Sequence, residues 1–125
     1  MTDGFIIIRF KECVGMTDDI KLILEEFVIK MKECLGSDIQ SIVLYGSYAR
    51  GDFNIQSDLD IMILVHSADS EIKKYENKVY DCAFDLELKY GKVISPIIKN
   101  QQFFEYWSDT LPFYRNIVKE GVRVA

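Results

Sequence analysis

The chain has 125 residues, of which 49% are hydrophobic, 13% aromatic and 28% charged, and this length and composition predict one globular domain rather than a two-domain enzyme or a disordered chain. Fifteen Lys and Arg residues against 20 Asp and Glu residues give a formal net charge of -5, the wrong sign for nonspecific binding of long nucleic acid. The three cysteines, Cys13, Cys34 and Cys82, stand far apart and away from the single histidine, His66, so neither a disulfide framework nor a zinc site is indicated.

The first fifteen residues contain a short apolar run, residues 5–10. No basic region precedes this run and no small-residue cleavage site follows it, and it has about half the length of a membrane span. It predicts a strand or an arm, and we expect a cytoplasmic protein.

The middle of the chain carries a helix signal and then two strand signals. Residues 17–35 place apolar residues at three- and four-residue steps and are followed by Gly36, which predicts an amphipathic helix. Ile39–Tyr45 is a short apolar run typical of a buried strand, and residues 46–56 are polar and rich in turn formers. Leu59–Val65 is apolar throughout, as in a central strand covered on both faces.

The last third is predicted to add two helices and two strands. Residues 69–80 indicate a helix, and residues 83–90 alternate apolar with charged side chains, which predicts a third strand. Residues 93–98 predict an edge strand because Pro96 cannot donate to a ladder. Residues 111–120 predict a closing helix. The expected fold class is α/β (α+β), a mixed sheet of about four strands with helices packed on it.

The informative motif is GSYARGDFNIQSDLDI, which begins at Gly46. Gly46 and Gly51 have the spacing of the glycines in a phosphate-binding P-loop. That motif requires Lys and then Ser or Thr after the second glycine, whereas Asp52 and Phe53 follow here. A Walker-type ATPase is therefore disfavoured.

The remaining pattern is a Gly-Ser turn between two strands, with two carboxylates at the start of the second. Gly46 allows an anion to approach the backbone, and the Ser47 hydroxyl and nearby amides can donate to it. Asp58 and Asp60 are two residues apart on a strand, so they point to one face about 7 Å apart. Carboxylates of this kind, with substrate phosphates, suit Mg2+, and two such ions can hold the attacking and leaving oxygens of an in-line displacement. The pattern favours phosphoryl or nucleotidyl transfer.

A third carboxylate is expected from the neighbouring strand. Asp85 and Glu87 share the polar face of the predicted strand 83–90, and alternation does not choose between them. We favour Asp85 because its shorter side chain is held more rigidly. Arg50 is a candidate phosphate or partner contact, or an ordinary solvated arginine.

Gly46 and Ser47, ten residues, and then Asp58, Leu59 and Asp60 resemble the signature of the DNA polymerase β-like nucleotidyltransferase superfamily. The fuller motif is similar to its minimal branch, small proteins that are often paired as antitoxins with a HEPN-domain toxin. The resemblance spans about residues 39–90 of a single nucleotidyltransferase-like domain, residues 1–125. Only about 35 residues follow Tyr90, so the helical substrate domain of the larger members is not expected.

The resemblance implies specific roles. Gly46 and Ser47 would bind the triphosphate of ATP or another nucleoside triphosphate, and Asp58 and Asp60 would ligate two Mg2+ ions. Asp85 would be the third acid, a ligand of the catalytic metal and the general base for the acceptor hydroxyl. The acceptor would be a hydroxyl group, in antitoxin members a tyrosine of the HEPN-type partner, which receives AMP. Two alternatives stay open: a catalytically idle module that sequesters a helical partner, and an antibiotic-type transferase with a small-molecule acceptor. An exposed edge strand is also compatible with a homodimer.

Overall fold

The computed structural model describes residues 6–7 and 16–125. Its strands are β1 (Ile6–Ile7), β2 (Ile39–Tyr45), β3 (Leu59–Val65), β4 (Ile94–Asn100) and β5 (Val122–Arg123). Its helices are α1 (Asp18–Leu35), α2 (Ser47–Arg50), α3 (Asp69–Tyr90), α4 (Gln101–Trp107) and α5 (Pro112–Glu120), and a 3-10 turn (Gly36–Asp38) joins α1 to β2.

The five strands form one mixed sheet in the order β1-β5-β2-β3-β4. Strand β2 runs antiparallel to both β3 and β5, whereas β4 is parallel to β3 and β1 is parallel to β5. The α/β class with a mixed sheet is confirmed. Of the apolar run 5–10, Ile6–Ile7 forms a strand, and the other residues of that run lie outside the described part of the chain.

Each face of the sheet buries a separate core. On one face Ile61 and Ile63 of β3 pack with α1 and α3 around Phe27, which is fully buried. On the other face Met62 and Leu64 pack with α4 and α5. This division follows from the alternation of side chains along a strand. Strand β3 is buried on both sides, as its continuous apolar sequence predicts.

Helix α1 matches its sequence signals closely. The Thr17 hydroxyl accepts a hydrogen bond from the Ile20 amide, and Asp18 and Asp19 occupy the first turn, where acidic side chains favour a helix N-terminus. Gly36 ends the helix with φ 54°, a backbone conformation that favours glycine. The predicted helix 17–35 is confirmed.

Residues 83–90 do not form a strand: they are the C-terminal part of α3, so that prediction is wrong. Ala83 and Leu86 are buried at helical spacing, whereas Phe84 and Leu88 are 56% and 70% exposed. Phe84 and Leu88 are apolar although exposed, and the buried Leu86 lies between them. The apolar residues therefore occupy every second position, which is the pattern expected of a strand.

The C-terminal part follows the predictions with smaller shifts. The edge strand predicted at 93–98 is β4, and Pro96 lies on that edge. The closing helix is α5, with Pro112 in its first turn, where proline is well tolerated. Helix α4, which follows β4 directly, was not predicted. In the described part of the chain, none of the helices combines the length and the apolar character of a membrane span.

The helical assignment of residues 83–90 gives a paired prediction. We expect Leu86→Ala to lower the free energy of unfolding by about 2 to 4 kcal/mol, because it leaves a cavity in the core. Leu88→Ala should change it by no more than about 0.5 kcal/mol, since that side chain is exposed. Urea unfolding of both variants checks this; equal losses would indicate that the two side chains share one buried face, as in a strand.

Candidate functional site

The end of β2 and the starts of β3, β4 and β5 lie together at one edge of the sheet. Tyr45, the last residue of β2, is the register partner of Asp60, and Asp60 is in turn the partner of Ser95 on β4. The Gly-Ser turn and Asp58 adjoin the same edge in sequence. The structure therefore brings Gly46, Ser47, Asp58 and Asp60 to one end of the sheet.

The acidic side chain of Asp60 points to the face that α4 and α5 cover. Asp60 shares its side of β3 with Met62 and Leu64, which belong to the core on that face. Tyr45 packs against the same core. The site therefore opens toward α5 and away from α1 and α3.

Gly46 and Asp60 approach each other closely. Gly46 has φ 75°, and a Cβ atom built on it would lie 2.3 Å from Asp60 Oδ2 and 3.2 Å from its Cγ. No side chain fits between the turn and the carboxylate. Gly46 therefore serves two purposes: it supplies a left-handed backbone for the turn into α2, and it leaves room for Asp60.

The carboxylates of Asp58 and Asp60 repel each other, and that of Asp60 is partly shielded from water. Asp60 is half-buried and Asp58 is exposed. Burial, with the nearby charge of Asp58, raises the pKa of Asp60 above its usual value, while Arg50 acts in the opposite direction. Burial and the charge of Asp60 raise the pKa of Tyr45 to about 12, so the Tyr45 hydroxyl keeps its proton at neutral pH. A cation placed between Asp58 and Asp60 would relieve this repulsion.

Arg50, at the end of α2, contacts two carboxylates. Its Nε lies 3.1 Å from Asp52 Oδ2, and its Nη1 lies 3.3 Å from Glu120 Oε2 on α5. The Arg50 side chain is 42% exposed, so these pairs add little stability. They do orient the guanidinium over the site, where a phosphate could compete for it.

Hydrogen bonds within the loop before β3, and from Lys92 just before β4, hold this loop in place. Asn54 accepts from the Gln56 amide at 2.8 Å and its own amide donates to Ser57 Oγ at 2.9 Å. Lys92 Nζ donates to the carbonyl groups of Ile55 and Ser57 at 3.1 and 2.9 Å. These bonds fix the backbone that leads directly into Asp58.

The third acid predicted at Asp85 depended on a strand that is not there. Asp85 is an exposed residue of α3, and α3 packs on the face of the sheet opposite to Asp60. The alternative residue, Glu87, accepts a hydrogen bond from the amide of Ile94 at 3.2 Å and so anchors the start of β4. Neither carboxylate joins Asp58 and Asp60.

The residue that faces Asp60 from the neighbouring strand is Ser95. Among residues 6–7 and 16–125, no group of three or more His, Cys, Asp or Glu side chains is placed to hold a metal ion. Asp58 and Asp60 nevertheless offer two carboxylates at one sheet edge, and Mg2+ is usually held by one or two carboxylates with phosphates and water.

A cavity of about 350 Å3 lies between Gly46, the neighbour of Asp60, and α5. Tyr45, Gly46 and Arg50 form one wall of it, and residues of α5, including Glu120, form the other. No sequence pattern indicated Tyr45 or Glu120, because they reach the site through strand pairing and the return of the chain along α5.

A larger cavity, about 720 Å3, lies between α1, the end of α3 and the loop 53–55, away from the side to which Asp60 points. His66 is exposed and lies at the other end of β3.

Comparison with known proteins identifies the family of the chain. A model of the nucleotidyltransferase domain family matches residues 20–124. The chain belongs to this family. The resemblance seen in the Gly-Ser and Asp-x-Asp motif is confirmed, and the protein is a nucleotidyltransferase.

Curated relatives of this nucleotidyltransferase come from Methanocaldococcus jannaschii. "Putative protein adenylyltransferase MJ0604" is 39% identical over 101 residues, which cover 78% of this chain and 90% of that protein. A second protein of the same description, MJ0141, is 38% identical over 76 residues, 61% of this chain and 75% of that one.

A crystal structure of a toxin-antitoxin with AMP-PNP shares the fold. It is 20% identical with a TM-score of 0.50, over 79% of this chain and 70% of that chain. At this identity the likeness concerns the arrangement of helices and strands alone.

The contact between Gly46 and Asp60 leads to a prediction with a matched control. We expect Gly46→Ala to lower the rate of nucleotidyl transfer by about 100-fold or more, because the new Cβ displaces the Asp60 carboxylate and small misplacements in a site are costly. Gly51 also has a left-handed backbone, φ 86°, but nothing lies within 4 Å of a Cβ built there. Gly51→Ala should therefore lose only about 1 to 2 kcal/mol of stability and keep transfer within a few fold. Equal rates in the two variants would contradict a special role of Gly46.

Proposed function

We propose that this protein transfers AMP from ATP to a hydroxyl group of a partner protein, with Mg2+ as the cofactor. The observation that supports this most strongly is the closeness of the Gly46 turn to the Asp60 carboxylate, in a chain that belongs to the nucleotidyltransferase domain family. The curated relatives are named protein adenylyltransferases, which favours AMP as the transferred group and a protein as the acceptor.

The triphosphate would bind across the Gly-Ser turn. Ser47 begins α2, so its amide and that of Tyr48 lie at a helix start, where backbone donors have no partners within the helix. The Ser47 hydroxyl can donate to the same phosphate oxygens. Arg50 offers a guanidinium fork that suits phosphate, once it exchanges Asp52 or Glu120 for the nucleotide.

Asp58 and Asp60 would hold Mg2+. Their carboxylates repel each other, and the metal would relieve that repulsion. When bound, Mg2+ neutralises charge on the phosphates and stabilises the leaving group. Asp60 is half-buried and fixed beside Gly46, so it is the more rigidly placed of the two ligands.

In the proposed reaction the acceptor oxygen attacks the α-phosphorus of ATP. A bond forms between that oxygen and phosphorus as the hydroxyl group loses its proton to water, the bond from phosphorus to the bridging oxygen breaks, and pyrophosphate leaves. The Gly46 turn and Arg50 would hold the β- and γ-phosphates so that the leaving group lies opposite the incoming oxygen. Most of the catalytic effect would come from positioning and charge stabilisation.

The proposed partner is a HEPN-type helical toxin, with a tyrosine hydroxyl as the acceptor. The motif resemblance to the minimal nucleotidyltransferases supports this assignment. The structural neighbour described as a toxin-antitoxin with AMP-PNP has the same fold and fits such a pairing.

Incorporation of label from ATP tests the proposal. An extract of cells that produce this protein, incubated with it and ATP labelled at the α-phosphate, should show a labelled protein, whereas ATP labelled at the γ-phosphate should label nothing through this enzyme. Asp60→Asn should lower the labelling by about 100-fold or more, because the carboxylate beside Gly46 is lost. Asp85→Asn is the matched control, since Asp85 lies on the opposite face.

Three outcomes would contradict the proposal: wild-type labelling by Asp60→Asn, loss of labelling in Asp85→Asn alone, or labelling from γ-labelled ATP that increases when this protein is added.

One observation favours a second candidate function. Ser95, not an acid, faces Asp60, as expected of an idle module that only sequesters its partner. That function predicts that Asp58→Asn and Asp60→Asn together leave neutralisation of the partner unchanged.

A further inference from the structure

We propose that the cavity between Gly46 and α5 is an adenine-binding pocket in which Asn116 of α5 selects adenine over guanine. The inference rests on the proposed function and goes beyond it, because neither the motif nor the relatives assign a role to any residue of α5. It depends on the position of the cavity, its shape and the chemistry of its walls.

The cavity lies where the nucleoside of a bound triphosphate would extend. Gly46 and Arg50 form its wall at the proposed phosphate end. Phe113, Asn116 and Glu120 of α5 form the opposite wall. These three residues are three, four and seven positions apart, so they share one face of the helix. The cavity therefore connects the phosphate end directly to one side of α5.

The wall away from the phosphate end is aromatic and apolar. Tyr45 and Phe113 meet edge to face, with ring centroids 5.8 Å apart and an interplanar angle of 88°. Ile117 is buried behind them. Phe113 is 48% exposed, so one part of its ring is free of protein contacts and available to a flat heterocycle. A volume of about 350 Å3 falls in the range of small-molecule pockets, which combine apolar walls with a few polar groups.

Asn116 supplies the polar group that distinguishes bases. Its side-chain amide presents one acceptor oxygen and one donor nitrogen next to each other. Adenine presents the complementary pair, the N6 amino donor beside the N7 acceptor, and Asn binds this edge with two hydrogen bonds. Guanine presents two acceptors, O6 and N7, on the same edge. One of its acceptors would therefore face the amide oxygen.

The larger cavity on the other face fits a nucleotide less well. It is lined by Tyr48 and Phe53, whose rings already stack on each other at 4.4 Å. It opens beside α1 and the end of α3, whereas Asp60 points toward α5. A base bound there would place its phosphates on the wrong side of the sheet edge.

Calorimetric titration of the whole chain tests the inference with three probes, each with Mg2+: AMP-PNP, GMP-PNP and inorganic tripolyphosphate. The wild-type protein should prefer AMP-PNP to GMP-PNP. Asn116→Ala should reduce that preference by about fivefold or more and leave the affinity for tripolyphosphate unchanged. Gln102→Ala is the matched control: it removes an exposed amide from α4, which begins at the far end of the sheet, and should leave all three affinities unchanged.

Phe113→Leu provides a second, independent readout. It should weaken AMP-PNP and GMP-PNP about equally and leave tripolyphosphate binding unchanged, because stacking on an aromatic ring does not discriminate between purines. Equal affinity of the wild-type protein for AMP-PNP and GMP-PNP, or an unchanged preference in Asn116→Ala, would overturn the adenine pocket. Binding of tripolyphosphate in the same experiment would still support the proposed phosphate site. Failure of the wild-type protein to bind any of the three probes would overturn the proposed function, and the pocket with it.

Discussion

The contact between the backbone of Gly46 and the carboxylate of Asp60 is the constraint on which the site depends. A Cβ at position 46 would lie 2.3 Å from Asp60 Oδ2, so the turn and the acid can be this close only because residue 46 is glycine. The antiparallel register of β2 and β3, with Tyr45 opposite Asp60, brings the two together. Because β2 ends beside Asp60, the helix that follows it, α2, begins next to the acidic residues. A donor-rich turn and an acidic pair thus come from adjacent ends of two hydrogen-bonded strands.

The two faces of the sheet have different roles: one carries most of the hydrophobic core, and the other carries the functional site. The face with α1 and α3 carries the larger core and includes Phe27. The other face carries a smaller core, and beside it a cavity lies between Tyr45, Gly46 and one side of α5. Because neighbouring residues of β3 alternate between these faces, one strand can be fully buried in its middle and supply a functional carboxylate at its start.

The features predicted correctly from the sequence are those with local signals. The spacing and end residues of α1 and the apolar runs of β2 and β3 are contiguous, and the Gly-Ser and Asp-x-Asp residues lie at the junctions of those strands. Their gathering at one edge follows from simple pairing of the strands. The false strand at 83–90 arose because Phe84 and Leu88 are apolar but exposed, a pattern that short periodicity does not distinguish from a half-buried strand.

That error also misplaced the third acid, since the choice of Asp85 depended on the strand. The residues of the cavity wall carried no sequence signal at all. Tyr45 reads as the last apolar residue of a strand, and Asn116 and Glu120 read as ordinary surface positions of a closing helix. Only the pairing of β5 with β2 brings the end of α5 back to the edge that holds Asp60. Long-range pairing of this kind is not visible in the local pattern of a single sequence.

If nucleotide and metal bind at the Gly46–Asp60 edge on the α5 side of the sheet, a paramagnetic ion bound there will broaden the resonances of nearby residues. This can be measured on backbone amides with Mn2+, used in place of Mg2+, in the presence of AMP-PNP. The signals of Gly46, Asp60 and Ser95 should disappear at low Mn2+, while those of Phe84 and Asp85 should stay sharp. Broadening centred on Asp85, with Gly46 and Asp60 unaffected, would contradict it.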